Sequence, residues 1–325
     1  MSDDRDSWKK AMAIGPLVLA GIFLVARAGE MDPSGAPSPT VTAIDETDPR
    51  IPIRNGDLPL TISESGSYYL AEDVSTTGDG IEILADAVTI DLMGLSLSGG
   101  TGNGIGYSGA VEGLTVRNGT VSGWTLSGVQ APVNSLVIDV HAEGNGLAGI
   151  WAWNGSAVIN STATNNHYGI YASGASLNNC TAAFNNSTGI RVYQGSTVTG
   201  CAATFNDGDG IYVDGAIVRD SMAKGNFDNG IYVFANSSVV GNLCSLNSNA
   251  GIYVIGSDNR IEGNNVVGNL GPGFDVDGFD NIIIKNTARD NAQNYAQIAP
   301  GNAVGQVQAV SGNFTNTNAW ANFSY

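Results

Sequence analysis

The sequence predicts an all-β solenoid, a parallel β-helix of about ten coils, on three observations. Glycine followed by a bulky apolar residue recurs at Ile81, Ile105, Val129, Ile150, Ile170, Ile190, Ile211, Ile231, Ile252 and Phe274, in steps of 20 to 24 residues. An asparagine column, Asn145, Asn165, Asn185, Asn206, Asn226, Asn247, Asn269 and Asn291, drifts with it in steps of 20 to 22. Finally, 44 of the 325 residues are glycine and only 13% are charged, which suits many tight turns and few solvated helix faces.

The N-terminus has the form of an address. Lys9 and Lys10 precede a 16-residue apolar run from Ala11 to Ala26, and Ala26, Arg27 and Ala28 have the small-x-small form of a cleavage site. The run is shorter than the roughly 20 residues that span a bilayer. Residues 1–28 are therefore read as a signal peptide, with a retained anchor as the alternative. Either one sends the rest of the chain out of the cytoplasm, to a secreted, periplasmic or cell-surface location, and an anchor would be its one tie to a membrane. Residues 29–50 are rich in Pro, Ser and Asp without apolar period, the composition of a flexible spacer.

Residues 51–79 are expected to cap the solenoid and residues 80–295 to form it. Within each period the apolar residues alternate over short runs, as in "IYVDGAIVRDSMAKGN", with Gly, Asn, Asp or Ser at the breaks and no helical spacing. About three short strands per period cannot bury their apolar sides alone, but coiling pairs each strand in parallel with its counterpart one turn later. Asparagine suits the corners, because it tolerates the left-handed backbone region and its amide can donate to one neighbouring coil and accept from the other. After Asn291 the rhythm stops. Residues 296–325 are expected to pack on the last coils through Trp320 and Phe323, with Tyr295 just before them, and Leu58 to Leu70 to cover the first, since open solenoid ends expose unpaired strand edges.

The repeated "GIYV" and asparagine units resemble the right-handed parallel β-helix repeat family, the pectate-lyase-like superfamily, over roughly residues 80 to 295. The segments "LPLTISESGSYYLAEDV" and "VTIDLMGLSLSGG" resemble the cap and first coils of its secreted bacterial members. The resemblance implies a right-handed coil. It leaves activity open, since the family holds lyases, hydrolases, epimerases and non-catalytic proteins. For a lyase it implies a positioned Arg or Lys as base, often with calcium.

If Ile211 and Val213 point inward, strand alternation turns the residues one and three after each column isoleucine outward. The first outward column is then Glu82, Gly106, Gln130, Trp151, Tyr171, Arg191, Tyr212, Tyr232, Tyr253 and Asp275. The second contains Trp153, Tyr193, Asp214, Phe234 and Asp277. Coils stack ~4.8 Å apart, so Trp151, Trp153, Tyr171, Tyr193, Tyr212, Tyr232, Phe234 and Tyr253 form a strip on the order of 25 Å long. Patches of that size usually mark a binding surface, and flat rings with polar tips suit stacking on an extended glycan. Stacking that only stabilises the sheet, or contact with another protein, are the competing explanations.

For catalysis, Asp275 and Asp277 share one face about 7 Å apart, near the separations used in glycoside hydrolysis. Arg191 is the basic residue within the strip, and Asp214 is a further acid on that face. Asp207 and Asp209, in the turn "NDGDG", are candidate oxygen ligands for Ca²⁺. His141 and His167 lie in different columns without a triad or zinc frame. Cys180 and Cys201 should stack on adjacent coils as inward thiols, with a disulfide as the alternative, while Cys244 lies in another column.

With 30 acidic residues against 13 basic ones and a formal charge of −17, the chain would repel nucleic acid, and would attract a bare polyuronate poorly unless metal ions bridge the two. Two functions fit. One is an extracytoplasmic protein that binds a polysaccharide and, as an enzyme, cleaves it as a lyase or glycoside hydrolase. The other is a non-catalytic structural or adhesive β-helix at the cell surface. Oligomeric state is left open.

Overall fold

The computed structural model describes residues 49–310 and 317–325. The signal peptide or anchor expected at 1–28, and residues 29–48 of the expected spacer, lie outside them. Every element in the described residues is a strand, and the strands coil into a solenoid of about twelve turns. One strand of each turn joins a front sheet of 12 strands, and the others join a back sheet of 24. Most inward residues are small or branched and fully buried, with Trp124 and Phe274 the largest among them. In one coil they are Ile211, Val213, Val218 and Ala223, with Tyr212 between the first two half-buried on the outside. Each buried Ile or Val contributes about 1.5–3 kcal/mol, opposed by the entropy of ordering the chain around it.

Pairing is parallel, and the front-sheet register follows the expected columns. Ile211 lies beside Ile190 and Ile231, and Tyr212 beside Arg191 and Tyr232. Coiling also extends past the expected limits at both ends. Ile51–Ile53 already pairs with Gly66–Leu70, and Leu60–Ile62 with Ile81–Ile83. After Asn291 the chain completes a further turn. Tyr295–Ile298 pairs with Phe274–Val276, and the Tyr295 ring stacks on Phe274 at 5.0 Å. Asn322–Ser324 pairs with Thr287–Arg289, while Trp320 covers the Lys285 ammonium at 4.7 Å.

The corners are held by ladders of buried polar side chains. In the longest, each Nδ2 donates to the Oδ1 of the next coil, from Asn145 through Asn166, Asn185, Asn206, Asn226, Asn247 and Asn269 to Asn291, at 2.8–3.2 Å. Each also bonds a backbone carbonyl of the preceding coil, as Asn226 Nδ2 does to Ala203 O at 3.1 Å. The second rung of this ladder is Asn166, where periodicity predicts Asn165. The turn from Asn166 to Ile170 is one residue shorter than its neighbours, so counting back from the isoleucine misses by one.

The left-handed backbone is also assigned differently from expectation. The residue before each rung adopts it, as at Gly144, Asn165, Phe184, Phe205, Gly225 and Leu246, and the rung itself does not. This division frees the rung side chain to point inward while its predecessor makes the bend.

Two further corners repeat the device. One runs from Ser221 through Asn242, Asn264 and Asn286 to Asn322. The other passes from Ser237 through Asn259 and Asn281 to Asn302. Cys180 and Cys201 continue the first of these upward as stacked, buried free thiols, with Cys180 N–H donating to Cys201 Sγ at 3.4 Å and Cys201 N–H to Ser221 Oγ at 3.1 Å.

The ladder also dictates the glycine of "GIYV". A Cβ at Gly210 would lie 2.5 Å from Asn226 Nδ2, and one at Gly230 2.6 Å from Asn247 Nδ2. These distances are too short for any side chain, so the two periodic columns of the sequence are one packing constraint.

Asn226→Ala removes two donors and an acceptor from a dry corner, and each buried group left unpaired costs about 1–3 kcal/mol. The variant is expected to lose at least about 3 kcal/mol in urea unfolding. Asn165→Ala, on an exposed residue, should lose only about 1 kcal/mol, the cost of a left-handed alanine.

Candidate functional site

The outward face of the front sheet carries a continuous run of rings. Trp153 meets Trp151 at 5.7 Å between centroids, Trp151 meets Tyr171 at 4.5 Å, and Tyr171 meets Tyr193 at 5.5 Å. The run continues from Tyr193 to Tyr212 at 5.5 Å, to Tyr232 at 5.2 Å and to Tyr253 at 5.3 Å. Seven rings thus follow one another across six coils, with Tyr193 of the second column bridging the coil where Arg191 occupies the first. Phe234, one coil below Asp214 in the second column, is exposed and stands outside this chain of contacts.

Arg191 sits within the run. Its Nε donates to the Tyr193 hydroxyl, and its guanidinium lies over Tyr212 at 4.6 Å, Tyr193 at 5.5 Å and Tyr168 at 5.6 Å. Burial works against its charge, but the bond to Tyr193 together with the electrostatic pull of Tyr193, Tyr168 and Tyr212 outweighs this and raises its pKa. A guanidinium so held is a fixed cation and a poor base. Tyr168 was not anticipated from the strand alternation. It enters the face because of the short turn after Asn166, and the readable signal was the length of "NHYGI" against "NDGDGI".

Tyr212 and Tyr253 are both pushed up to about 12, mainly by burial, and further by Tyr193 and Asp214 in the first case and by the bond to Asp277 in the second. Both phenols therefore remain protonated at neutral pH and can donate hydrogen bonds.

The structure separates the candidate acids. Asp275 lies beside Tyr253 in register, and Asp277 accepts the Tyr253 hydroxyl at 2.8 Å. Burial, then Asp277, raises the Asp275 carboxyl above the usual aspartate range, and its Oδ1 is buried without a hydrogen-bond partner. Asp214 lies beside Tyr193 at the middle of the run and joins neither of them. Asp207 is exposed at the sheet margin. Asp209 is partly buried and accepts from Asn229 Nδ2 at 2.9 Å. Among the described residues no three His, Cys, Asp or Glu side chains gather to hold a metal ion. Both histidines are off the strip's ring chain, with His141 bonded to Thr164 Oγ1 at 2.9 Å and His167 edge-on to Tyr168 at 4.4 Å.

Burial, reinforced by Asp228 and opposed by the Asn229 bonds and Arg191, raises the Asp209 carboxyl to about 6. The folded chain thus binds this proton more tightly than the unfolded chain, whose aspartates titrate near ~3.9. The resulting stability is fully present below about pH 4 and is lost as pH rises through about 6. Asp209→Asn should therefore be more stable than the parent at pH 7.5 by about 1 kcal/mol, a value discounted for the carboxyl's partial exposure. The difference should vanish near pH 4, as read by urea unfolding at both pH values.

Comparison with known proteins agrees with the architecture. Residues 79–218 match the family described as "Right handed beta helix region". No curated protein matches the chain significantly. Among solved structures, the A-module of Azotobacter vinelandii mannuronan C-5 epimerase AlgE4 superposes with a TM-score of 0.54 at 15% identity, covering 73% of this chain and 90% of that one. A double mutant of the periplasmic alginate epimerase AlgG superposes with a TM-score of 0.59 at 13% identity, covering 84% and 76%. At these identities the likeness is one of fold. By its coils, its register and its matched segment, the chain is a right-handed parallel β-helix protein.

Proposed function

We propose that this chain is an extracytoplasmic protein that binds a polysaccharide along the ring column of its front sheet. The observation that carries this reading is the unbroken run from Trp153 to Tyr253, in which every coil offers a ring. A solenoid presents a nearly straight face on which an extended polymer can lie, and rings with protonated phenols give stacking and hydrogen bonding together. The fold neighbours support a polysaccharide ligand, since both are named as epimerases of mannuronan or alginate. The basic and apolar N-terminus supports export.

A cleavage step is favoured by one further observation. Asp275 and Asp277 lie at one end of the strip in unlike environments, with Asp275 half-buried and its carboxyl raised above the usual aspartate range, and Asp277 exposed and accepting from Tyr253. Two carboxyl groups in such unlike surroundings suit an acid and a base in glycoside hydrolysis. The lyase reading is weaker, because Arg191 is held as a cation and the phenols stay protonated.

Replacing Trp151, Tyr212 and Tyr232 together with alanine should lower glycan affinity at least tenfold, about 1.4 kcal/mol, in affinity electrophoresis against a polysaccharide panel. Loss of stacked pairs should cost the fold only about 0.2–1 kcal/mol each. Unchanged affinity in the folded variant would mean that the rings serve the sheet alone. Asp275→Asn should abolish new reducing ends while leaving binding intact. Binding by the parent without products would instead leave a lectin-like module.

A further inference from the structure

The first outward column changes character above Trp151. Gln130 is its register neighbour one coil up, and Glu82 lies beside Gly106 at the top. Gly106 is the position where this face has no side chain, and a cavity of about 260 Å³ opens there, lined by Asp79, Glu82, Asn103, Gly106 and Ser108 among others. Its volume falls below the ~300 Å³ at which drug-sized pockets begin, which suits a single sugar ring.

The backbone at Gly106 is not left-handed, so glycine is not required there by conformation. The nearest atoms to a Cβ there belong to the flexible Asn103 side chain, from 3.0 Å. Gly106 thus serves space, unlike Gly210 and its counterparts, which yield to the ladder.

The cavity is built to accept hydroxyl donors. The Thr101 hydroxyl donates to Asp79 Oδ1 at 2.6 Å and the Ser108 hydroxyl to Glu82 Oε1. Each carboxylate has several acceptor sites, so each retains capacity for a ligand hydroxyl. Asn103 Nδ2 donates to Gln130 Oε1 at 3.1 Å, which links the cavity wall to the coil just above Trp151.

The charges on this face point the same way. Asp79, Glu82, Asp209, Asp214, Asp275 and Asp277 lie on the front strands or the turns beside them, while Arg191 is the one Lys or Arg on a described front strand, already engaged by Tyr193 and its ring neighbours. A polyanion laid along the front face would meet carboxylates above the strip, near its middle and at its lower end.

We propose that the cavity beneath Asp79 and Glu82 is a hydroxyl-reading subsite continuous with the aromatic strip, and that the ligand is a neutral polysaccharide. The inference rests on the proposed binding role of the strip and names its substrate class, which differs from the uronate polymers in the names of the fold neighbours. Carboxylates reward hydroxyl donors and reject a sugar carboxylate, so the same two residues supply both attraction and exclusion.

The test is calorimetric titration of the full chain with neutral and uronate oligosaccharides of equal length, in the presence of a chelator. Neutral oligosaccharides from the panel should bind at least tenfold tighter than uronates. Gly106→Leu, which fills the cavity, and Glu82→Ala, on an exposed side chain that the fold can spare, should each weaken neutral binding at least fivefold. Glu82→Ala carries the test alone if Gly106→Leu does not fold. Uronates binding as tightly as neutral sugars under chelation would overturn the proposal while leaving the strip reading in place. Undiminished neutral binding in the folded cavity variants would do the same. Absence of binding to every glycan would remove both. Loss of affinity in the cavity variants without loss in the Trp151, Tyr212 and Tyr232 variant would support the cavity and remove the strip.

Discussion

The asparagine ladder is the interaction on which the rest of this structure depends. A backbone that turns three times per coil exposes donors and acceptors at each corner, and a corner facing the interior cannot leave them to water. The amide of Asn226 meets this need in two directions, accepting from Asn206 and donating to Asn247 and Ala203. Its presence then excludes a side chain at Gly210, and the same exclusion recurs down the helix. Eight of the 44 glycines, from Gly128 to Gly273, face a rung of this ladder in the same way.

Because the ladders and the inward isoleucines fix the register, the outward columns are released from structural duty. A ring at Tyr212 or Tyr232 contributes to sheet stability through its neighbours, yet the fold holds equally well in the early coils, where Glu82, Gly106 and Gln130 occupy the same column. The boundary at Trp151 therefore divides two surface chemistries on a single scaffold. Stacking dominates below it, and hydrogen bonding with an open cavity dominates above it. Arg191 is consistent with this division, since its charge is absorbed by the surrounding rings and is not presented as an isolated cation.

The columns of the front sheet were legible because strand alternation and a near-constant period leave little freedom once one isoleucine is placed inward. Asn166 was misplaced by one residue because the turn before Ile170 is shortened, and periodicity cannot see where within a coil a deletion falls. The other two ladders had a signal, Asn242, Asn264 and Asn286 at a spacing of 22, which the stronger glycine-linked column obscured. The last turn was hidden because its closing rung, Asn322, follows Asn286 by 36 residues. The cavity at Gly106 was the least legible feature. In a chain with so many glycines, one that keeps space open looks the same in sequence as those that make way for an amide.

The parallel in-register stack has a further consequence. Each coil advances the front face by a nearly constant rise, so the outward column behaves as a graduated scale whose divisions are coils. Gain or loss of one whole coil would lengthen or shorten the reading by one division and leave every other division unaltered. Under the proposed binding role, ligand length on such a surface is set by counting repeats, while ligand chemistry is set by the residue at each mark.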